Sequence, residues 1–387
     1  MISVYQCSLA VLLFSVLTSP SFAQDYVPES GVFPPTDTGK YIAGELVFID
    51  PVNRRGGIRL DGGSKGGRYH TGPLHYFALL PYGVVWHNGA MAEIRDIPLG
   101  THVHGYYFVP PRGEEGTIPP LPEDQKQFAI PHNHAISLED DFSFYQRRGQ
   151  AWKVVSVDEE REKLKVGPTG KMAKDGINTA YTFDIDSVTR VWKNRQLNDL
   201  KDIEVGTIVQ LNLAWSQGWG DGEYGVSDIW LDEDSRNFAT ELQRRRHIRY
   251  QHQRWSPGWI DAIEHFDFGG GIVTLTFFEV DPSLIAEFKK EQADGFGVAC
   301  AEKTLRTWFH RADKQIGKVI EWKEVKNPPL GSSGVQVRLK FTELLDGYRP
   351  GACVRMKCLS WKFVTMPPEE RVTSREKQER GSRLGLP

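Results

Sequence analysis

An internal repeat constrains the fold of this 387-residue chain more than any other feature of its sequence. The segments that begin at residues 85 and 191 match without a gap and share tryptophan, asparagine, aspartate, glycine and valine at identical spacing. The matched residues include Trp86 and Trp192, Asp96 and Asp202, and Gly100 and Gly206. Residues of these types at a fixed interval indicate two copies of one structural unit.

A third copy is recognisable but interrupted. It begins near Trp308 and ends near Gly351, and an extra stretch from about 311 to 340 lies between them. That stretch contains the turn-rich segment Asn-Pro-Pro-Leu-Gly-Ser-Ser-Gly, which predicts an added hairpin. Three modules of one kind are therefore expected.

Each copy is typical of a small β-barrel. Two short strands with β-branched residues open it, and Gly100, Gly206 or Gly351 precedes the closing strand, where a tight turn needs a positive φ. In the closing strand of the second copy, Val209 and Leu211 alternate with polar residues. Since roughly 80–100 residues provide five or six strands, the sequence predicts a mainly β chain. Its architecture would be three tandem small antiparallel barrels joined by short helical linkers.

The order of these elements resembles the OB-like domains of uncharacterised exported bacterial proteins. The shared pattern is a strand that ends in aspartate, a Thr-x-Val-Trp-like strand, and then Asp-Ile-x-x-Gly-Thr-x-Val. The resemblance covers most of each module and implies an OB-like fold, but its residues are structural and imply no activity. The long third module and the connecting helices depart from the pattern.

The repeat also predicts the domain boundaries. Acidic residues followed by basic residues favour helices in both linkers, and the best helix candidate spans 234–250. The expected divisions are a signal peptide at 1–23, an N-terminal linker at 24–40, module 1 at 41–136, a linker at 137–150, module 2 at 151–230, a helical linker at 231–256, module 3 with its inserted hairpin at 257–366, and a disordered tail at 367–387.

The N-terminus is typical of a secretory signal peptide. An apolar run over 9–17 is followed by Ser-Phe-Ala, which predicts cleavage after Ala23 and a periplasmic or secreted mature protein. The run is shorter than the roughly 20 residues of a membrane span, and no later segment is apolar enough for one. An N-terminal anchor or a buried strand is the alternative, because no lysine or arginine precedes the run.

The three cysteines of the mature chain suggest one disulfide. In an oxidising compartment Cys300 would pair with either Cys353 or Cys358, which face opposite ways if they share a strand. The sequence leaves that choice open.

Module 1 is rich in histidine. His102 and His104 lie two apart on the predicted closing strand, and His132 and His134 have the same spacing, so each pair would present both rings on one face. Two such pairs could bind Zn²⁺ or Cu²⁺. The alternative is surface or hydrogen-bonded histidines, since module 2 has isoleucine and glutamine at the places of the first pair.

One dense basic segment, interleaved with aromatic residues, follows module 2. It could hold an anionic polysaccharide, a phosphate-rich polymer or the acidic face of another exported protein, with stacking on its aromatic rings. The alternative is a solvated helix face opposite the preceding acidic residues. The candidate binding residues are Arg244, Arg245, Arg246, Arg249, Tyr250, Arg254 and Trp255.

The function classes can be narrowed further. A net charge of −3 and a pI near 6.4 provide no basic field for nucleic acid, and no nucleophile elbow, phosphate loop or dinucleotide fingerprint is present. The leading hypothesis is an exported, non-enzymatic binding or scaffold protein with no cofactor. The alternatives are a metal-binding protein that uses the module 1 histidines and a secreted carbohydrate-active enzyme. For the enzyme, the glycine-rich loop at 215–225 would line a sugar site or chelate Ca²⁺ through its oxygens, although its composition favours a flexible hairpin with packing tryptophans.

Overall fold

The computed structural model shows a mainly β chain. The residues that it describes are 39–50, 54–61, 74–108, 133–170, 180–215, 224–291, 296–300, 314–328, 332–345, 348–350 and 353–361. The predicted signal peptide with Ala23 and the tail from 367 lie outside them, as do His132, Trp308 and Gly351. None of the helices in these ranges is long and apolar enough to cross a membrane.

Six strands form the first sheet. They are β1 (Lys40–Asp50), β2 (Arg55–Leu60), β3 (Leu74–His87), β4 (Ala90–Ala92), β5 (His102–Phe108) and β6 (Asn133–Asp140). Their order is β2-β1-β5-β6-β3-β4, and β2 also pairs with β3, so five strands close a ring of backbone pairings. Every pair in this ring is antiparallel except β3 with β6.

The second sheet has seven strands, and five of them close a similar ring of backbone pairings. They are β7 (Gln150–Asp158), β8 (Lys163–Gly170), β9 (Tyr181–Asp184), β10 (Arg190–Lys193), β11 (Gln196–Asn198), β12 (Ile208–Ala214) and β13 (Gly225–Trp230). Their order is β11-β10-β13-β12-β7-β8-β9, and β9 also pairs with β13. Both β9 and β10 run parallel to β13.

The parallel pairs correct the expectation of wholly antiparallel barrels. Antiparallel neighbours alternate in direction, so a ring with an odd number of strands cannot alternate all the way round. Each five-strand ring is therefore left with one parallel contact, β3 with β6 in module 1 and β9 with β13 in module 2.

Module 3 is a closed barrel of six strands. They are β14 (Ser256–His265), β15 (Gly271–Phe278), β16 (Phe296–Cys300), β17 (Lys314–Glu324), β18 (Ser332–Phe341) and β19 (Cys353–Cys358), in the order β14-β15-β18-β17-β16-β19. Because six is an even number, the strands alternate in direction all the way round, and all six neighbouring pairs are antiparallel. The antiparallel hairpin of β17 and β18 spans most of the stretch where an insertion was predicted, and it forms part of the barrel wall.

The turns before the closing strands of modules 1 and 2 have the same local structure. A single 3₁₀ turn with a capping box lies at Ile94–Asp96 and again at Leu200–Asp202. Gly100 and Gly206 follow with φ of 89° and 93°, a conformation that costs glycine little. Trp86 and Trp192 lie on strands that pair in parallel with the last strand of their sheet, opposite Glu139 and Trp230.

Three helices connect or cover the sheets. They are α1 (Asp141–Arg147), α2 (Glu233–Arg254) and α3 (Pro282–Glu291). Asp140 caps α1 and Asp232 caps α2, each by accepting a hydrogen bond from a serine backbone N–H three residues later. Each module has its own apolar core, and a fourth apolar cluster joins modules 1 and 3.

One of the two disulfide alternatives is wrong. Cys358 is a buried free thiol, and the register of β16 and β19 places it opposite Gly297 instead of Cys300. The side chains of Cys300 and Cys353 lie outside the described part of the chain.

Candidate functional site

The rings of His102 and His104 meet a buried carboxylate where modules 1 and 2 join. Both histidines lie on β5, as the spacing predicted, but they are 6% and 3% exposed and do not face solvent. The Nδ1 atom of His102 lies 2.8 Å from Asp141 Oδ1, and the Nε2 atom of His104 lies 3.0 Å from the same oxygen. Asp141 is the first residue of α1 and directly follows its cap, Asp140, so the start of this helix places the Asp141 carboxylate beside β5. We call these three residues the histidine–carboxylate cluster.

The outer nitrogen of each ring also has a partner. His102 Nε2 lies 2.9 Å from Asp61 Oδ2, and the hydroxyl of Tyr41 lies 2.7 Å from His104 Nδ1. From module 2, the Tyr224 hydroxyl donates to Asp61 Oδ1 at 2.8 Å, and the backbone N–H of Leu213 donates to Asp141 Oδ2 at 3.0 Å. The rings and both carboxylates are therefore fixed by bonds from two modules.

The charges of the cluster follow from these contacts. Burial alone would raise the pKa of Asp141, but the two histidine rings hold it well below its usual range. Burial alone would lower the pKa of His102, but Asp141 and Asp61 raise it well above its usual value. At His104, burial and the nearby charge of His102 lower the pKa. His102 thus donates from both nitrogens, while neutral His104 donates to Asp141 and accepts from Tyr41.

Of the predicted second histidine pair, His134 does not join the cluster. His134 is buried on β6 opposite Phe108, which lies four residues beyond His104 on β5. His132 lies outside the described residues. In the part of the chain that the structure describes, three metal-ligating side chains come within 4.8 Å of one another, and these are His102, His104 and Asp141. Among the described residues, the predicted histidine site is therefore reduced to His102 and His104 with Asp141, without His134.

The predicted basic segment forms the second half of α2. Arg244 donates two hydrogen bonds to Asp281 at 2.7 and 2.9 Å, and Arg245 donates to Glu241 at 3.1 Å. Arg246 and Arg249 are exposed and have no hydrogen-bond or ion-pair partner among the described residues. The arginines of this segment thus divide into internally paired cations and cations open to solvent.

The aromatic residues of this segment are not available for stacking on a ligand. Trp255 is 2% exposed, because a φ of 66° at the end of α2 turns the chain into β14 and buries the indole. Tyr250 is half-buried, and the guanidinium groups of Arg95 and Arg254 lie 5.2 and 5.7 Å from its ring centre. The prediction that Trp255 binds a ligand by stacking is therefore wrong, while the Tyr250 ring already contacts two guanidinium groups, one of them from Arg254.

Comparison with known proteins identifies no family for this chain. No family model matches this chain, and no curated protein matches it. Among solved structures, a copper(II)-bound tryptophan-to-alanine variant of CusF from Escherichia coli is similar at 19% identity, over 22% of this chain and 90% of that one. Its TM-score of 0.16 is too low to support an argument about the fold or function of this chain.

The face of α2 that points away from the exposed Arg246 and Arg249 is polar, yet it is buried. Gln243, His247 and Gln251 recur every fourth residue and are all at most 1% exposed. Gln243 donates to Asp96 of module 1 at 3.1 Å. His247 Nε2 lies 2.9 Å from the carbonyl oxygen of Glu279 in module 3, and Gln251 donates to that same oxygen at 2.6 Å. These hydrogen bonds fix α2 between modules 1 and 3.

Sequence reasoning missed several residues of the histidine–carboxylate cluster and of the contacts of α2. Asp141 belongs to an acidic run that was interpreted only as the start of a helix, although an acidic residue next to a predicted cap is a usable signal. Asp61, Tyr41 and Glu279 carried no signal, because their partners are distant in the chain. The glycine-rich loop predicted as a sugar site lies outside the described residues from 216 to 223.

Proposed function

We propose that this chain is an exported protein of three tandem OB-like modules that binds an anionic polysaccharide on the outer face of α2. The five-strand rings of modules 1 and 2 support the OB-like assignment, since that fold is a five-stranded barrel. The similar capped turns and glycines of modules 1 and 2 support the repeat.

The exposed pair Arg246 and Arg249 carries the proposal. These residues lie three apart on α2 and next to exposed Arg245, so like charges are neighbours on one helix face. Neither Arg246 nor Arg249 is neutralised by a described residue, whereas Arg244 and Arg245 are. A polyanion would relieve the repulsion and gain charge-assisted hydrogen bonds.

The buried face of α2 holds the helix that carries Arg246 and Arg249 in a fixed position. Because Gln243, His247 and Gln251 hold the helix against modules 1 and 3, the exposed guanidinium groups start from a fixed backbone. Binding then costs less ordering entropy than it would on a free helix. With Trp255 buried and the Tyr250 ring in contact with two guanidinium groups, recognition depends on charge and geometry, which favours sulfated or carboxylated sugars over stacked bases.

Titration of the mature protein with dextran sulfate tests the proposal, with neutral dextran as the control polymer. The double variant Arg246→Ala/Arg249→Ala is expected to weaken binding at least tenfold, and added NaCl should weaken binding by the parent. Arg246→Lys/Arg249→Lys keeps the charge and should retain most of the affinity. The matched control is Arg161→Ala, which removes an exposed arginine of module 2.

Two results would overturn the proposal. One is equal binding of dextran sulfate by the parent and the double alanine variant. The other is no salt-sensitive binding of dextran sulfate by a correctly folded parent, in which case an acidic protein partner becomes the better candidate.

A further inference from the structure

The histidine–carboxylate cluster has the donor set of a metal site. Two imidazoles and one carboxylate are a common protein ligand set for Zn²⁺ and related ions, with the fourth position left to water. Ligand atoms of His102, His104 and Asp141 lie within 4.8 Å of one another, and His102 Nδ1 and His104 Nε2 both face Asp141 Oδ1. We propose that these three atoms hold a divalent transition-metal ion of the zinc class at the junction of modules 1 and 2.

The outer contacts of the cluster support this proposal. Histidines that bind metals nearly always give their other ring nitrogen to a carboxylate or another oxygen, which fixes the ring and its tautomer. Here Asp61 faces the outer nitrogen of His102, and Tyr41 faces that of His104. The free oxygen of Asp141 is likewise fixed by the backbone of Leu213. All three ligand side chains are therefore aimed inward before an ion binds.

The fold itself does not require histidine at these positions. Ile208 and Gln210 of β12 occupy the matching places in module 2, whose closing strand forms without either ring. The cluster is thus a difference between copies of one module, and differences between copies are where function is expected.

The two histidine–aspartate distances need only a small adjustment, whereas the two histidine nitrogens, which lie within 4.8 Å of each other, come closer when an ion binds. Zinc bonds of about 2.0–2.2 Å in a tetrahedron place ligand atoms about 3.3 Å apart. The two histidine–aspartate distances of 2.8 and 3.0 Å are shorter by a few tenths of an ångström. As the ion enters, His102 loses its Nδ1 proton to water, and the His104 proton moves from Nε2 to Nδ1, where it is donated in a hydrogen bond to the oxygen of Tyr41. The ion then connects β5 to α1 in place of two hydrogen bonds.

The test uses the untagged mature chain after treatment with a chelator. Calorimetric titration with Zn²⁺ should show about one bound ion per chain, and Co²⁺ should give the visible spectrum of a site with nitrogen and oxygen ligands. His104→Gln should abolish both signals. The matched control is His87→Gln, because His87 is also buried and lies 2.7 Å from the neighbouring Asp140 but outside the cluster.

A second variant covers the case in which His104→Gln fails to fold. Asp61→Asn keeps every ligand and changes only the outer contact of His102, so Zn²⁺ affinity should fall by about 10–100-fold while the circular dichroism spectrum is unchanged. The proposal is overturned if the folded parent binds no Zn²⁺. It is equally overturned if Asp61→Asn or a folded His104→Gln variant binds Zn²⁺ as the parent does. None of these outcomes depends on whether α2 binds polysaccharide.

Discussion

Asp140 shows at the scale of one residue how the first two modules are joined. Its carboxylate is completely buried, where an unpaired charge would be very costly. It accepts hydrogen bonds from the backbone N–H groups of Ser143 and Asn88, both at 2.8 Å, and from the side chain of Asn212 in module 2 at 3.0 Å. The Nδ1 atom of His87 lies 2.7 Å away. One carboxylate thus caps α1, holds the turn after β3 and contacts module 2.

Asp140→Asn should lower the free energy of unfolding at about pH 7 by about 2–3 kcal/mol, because bonds to an ionised acceptor are the stronger ones. Burial opposes ionisation of Asp140, but His87 and the donated hydrogen bonds hold its pKa below the usual value. The unfolded chain therefore takes up this proton at a higher pH than the folded protein does, so the stabilisation is present above about pH 4 and is lost below it. Urea unfolding at several pH values measures both effects.

The acid-dependent part of this prediction has its own control. Asp267 is exposed in the turn between β14 and β15, so Asp267→Asn should leave the pH profile of stability unchanged. The Asp140→Asn variant should lose less stability than the parent between about pH 5 and pH 3. A variant profile that runs parallel to that of the parent would show that Asp140 does not contribute to acid unfolding.

Residues with local roles were predictable from the sequence, and residues with distant partners were not. A glycine before a closing strand indicates a positive φ whatever surrounds it, and Gly100 and Gly206 have it. The spacing of His102 and His104 places both rings on one side of a strand, which the structure confirms. That this side is buried against module 2 could not be predicted, because it depends on Asp141 and Asp61 approaching in space.

At the scale of elements, α2 combines a predictable helix with an unpredictable environment. Acidic residues at its start and basic residues at its end indicate a helix over 234–250, and the observed helix is Glu233–Arg254. Its buried face carries Gln243, His247 and Gln251, so hydrophobic periodicity could not identify that face. The hydrogen-bond partners that make burial tolerable belong to other modules.

Gln251→Leu is expected to destabilise the protein by about 1–3 kcal/mol, since the buried carbonyl oxygen of Glu279 loses one donor and the buried hydroxyl of Ser256 loses its acceptor. Gln251 donates to the carbonyl oxygen of Glu279 at 2.6 Å and accepts from the hydroxyl of Ser256 at 3.3 Å. Thermal unfolding followed by circular dichroism measures the loss. The matched control is Gln253→Leu on the same helix, where the side chain is only half-buried and the change should be under about 0.5 kcal/mol. Equal losses from both substitutions would contradict a structural role for the polar face.

At the scale of the whole molecule, the first and last modules are packed directly together. Leu80, Phe108 and Ile136 of module 1 form one apolar cluster with Trp259 and Phe278 of module 3. Beside it, Arg54 donates to both carboxylate oxygens of Glu279, at 3.1 and 3.2 Å. These two residues lie 225 positions apart, so a repeat that predicts each module separately gives no information about this junction.

The charge of this junction depends on pH. Burial raises the pKa of Glu279 to about 8, although the guanidinium of Arg54 lowers it. The folded protein therefore keeps a proton on Glu279 that the unfolded chain has lost, and stability from this group falls as the pH rises from about 4.5 to 8. Arg54 also donates to the carbonyl oxygens of Leu80 and Gly83, at 3.3 and 2.8 Å, and these bonds do not depend on Glu279.

Arg54→Met should therefore destabilise the protein by an amount that grows above pH 8. At about pH 7 the loss is confined to the bonds that Arg54 donates, about 1–3 kcal/mol. Without the guanidinium the pKa of Glu279 rises further, so each pH unit above 8 adds about 1.4 kcal/mol to the loss. The double variant Arg54→Met/Glu279→Gln has no carboxyl group to titrate and should lose the same amount relative to Glu279→Gln at about pH 7 and pH 9. Urea unfolding of the parent, the two single variants and the double variant at both pH values measures these losses. Equal losses from Arg54→Met at about pH 7 and pH 9 would mean that Glu279 stays ionised in the junction.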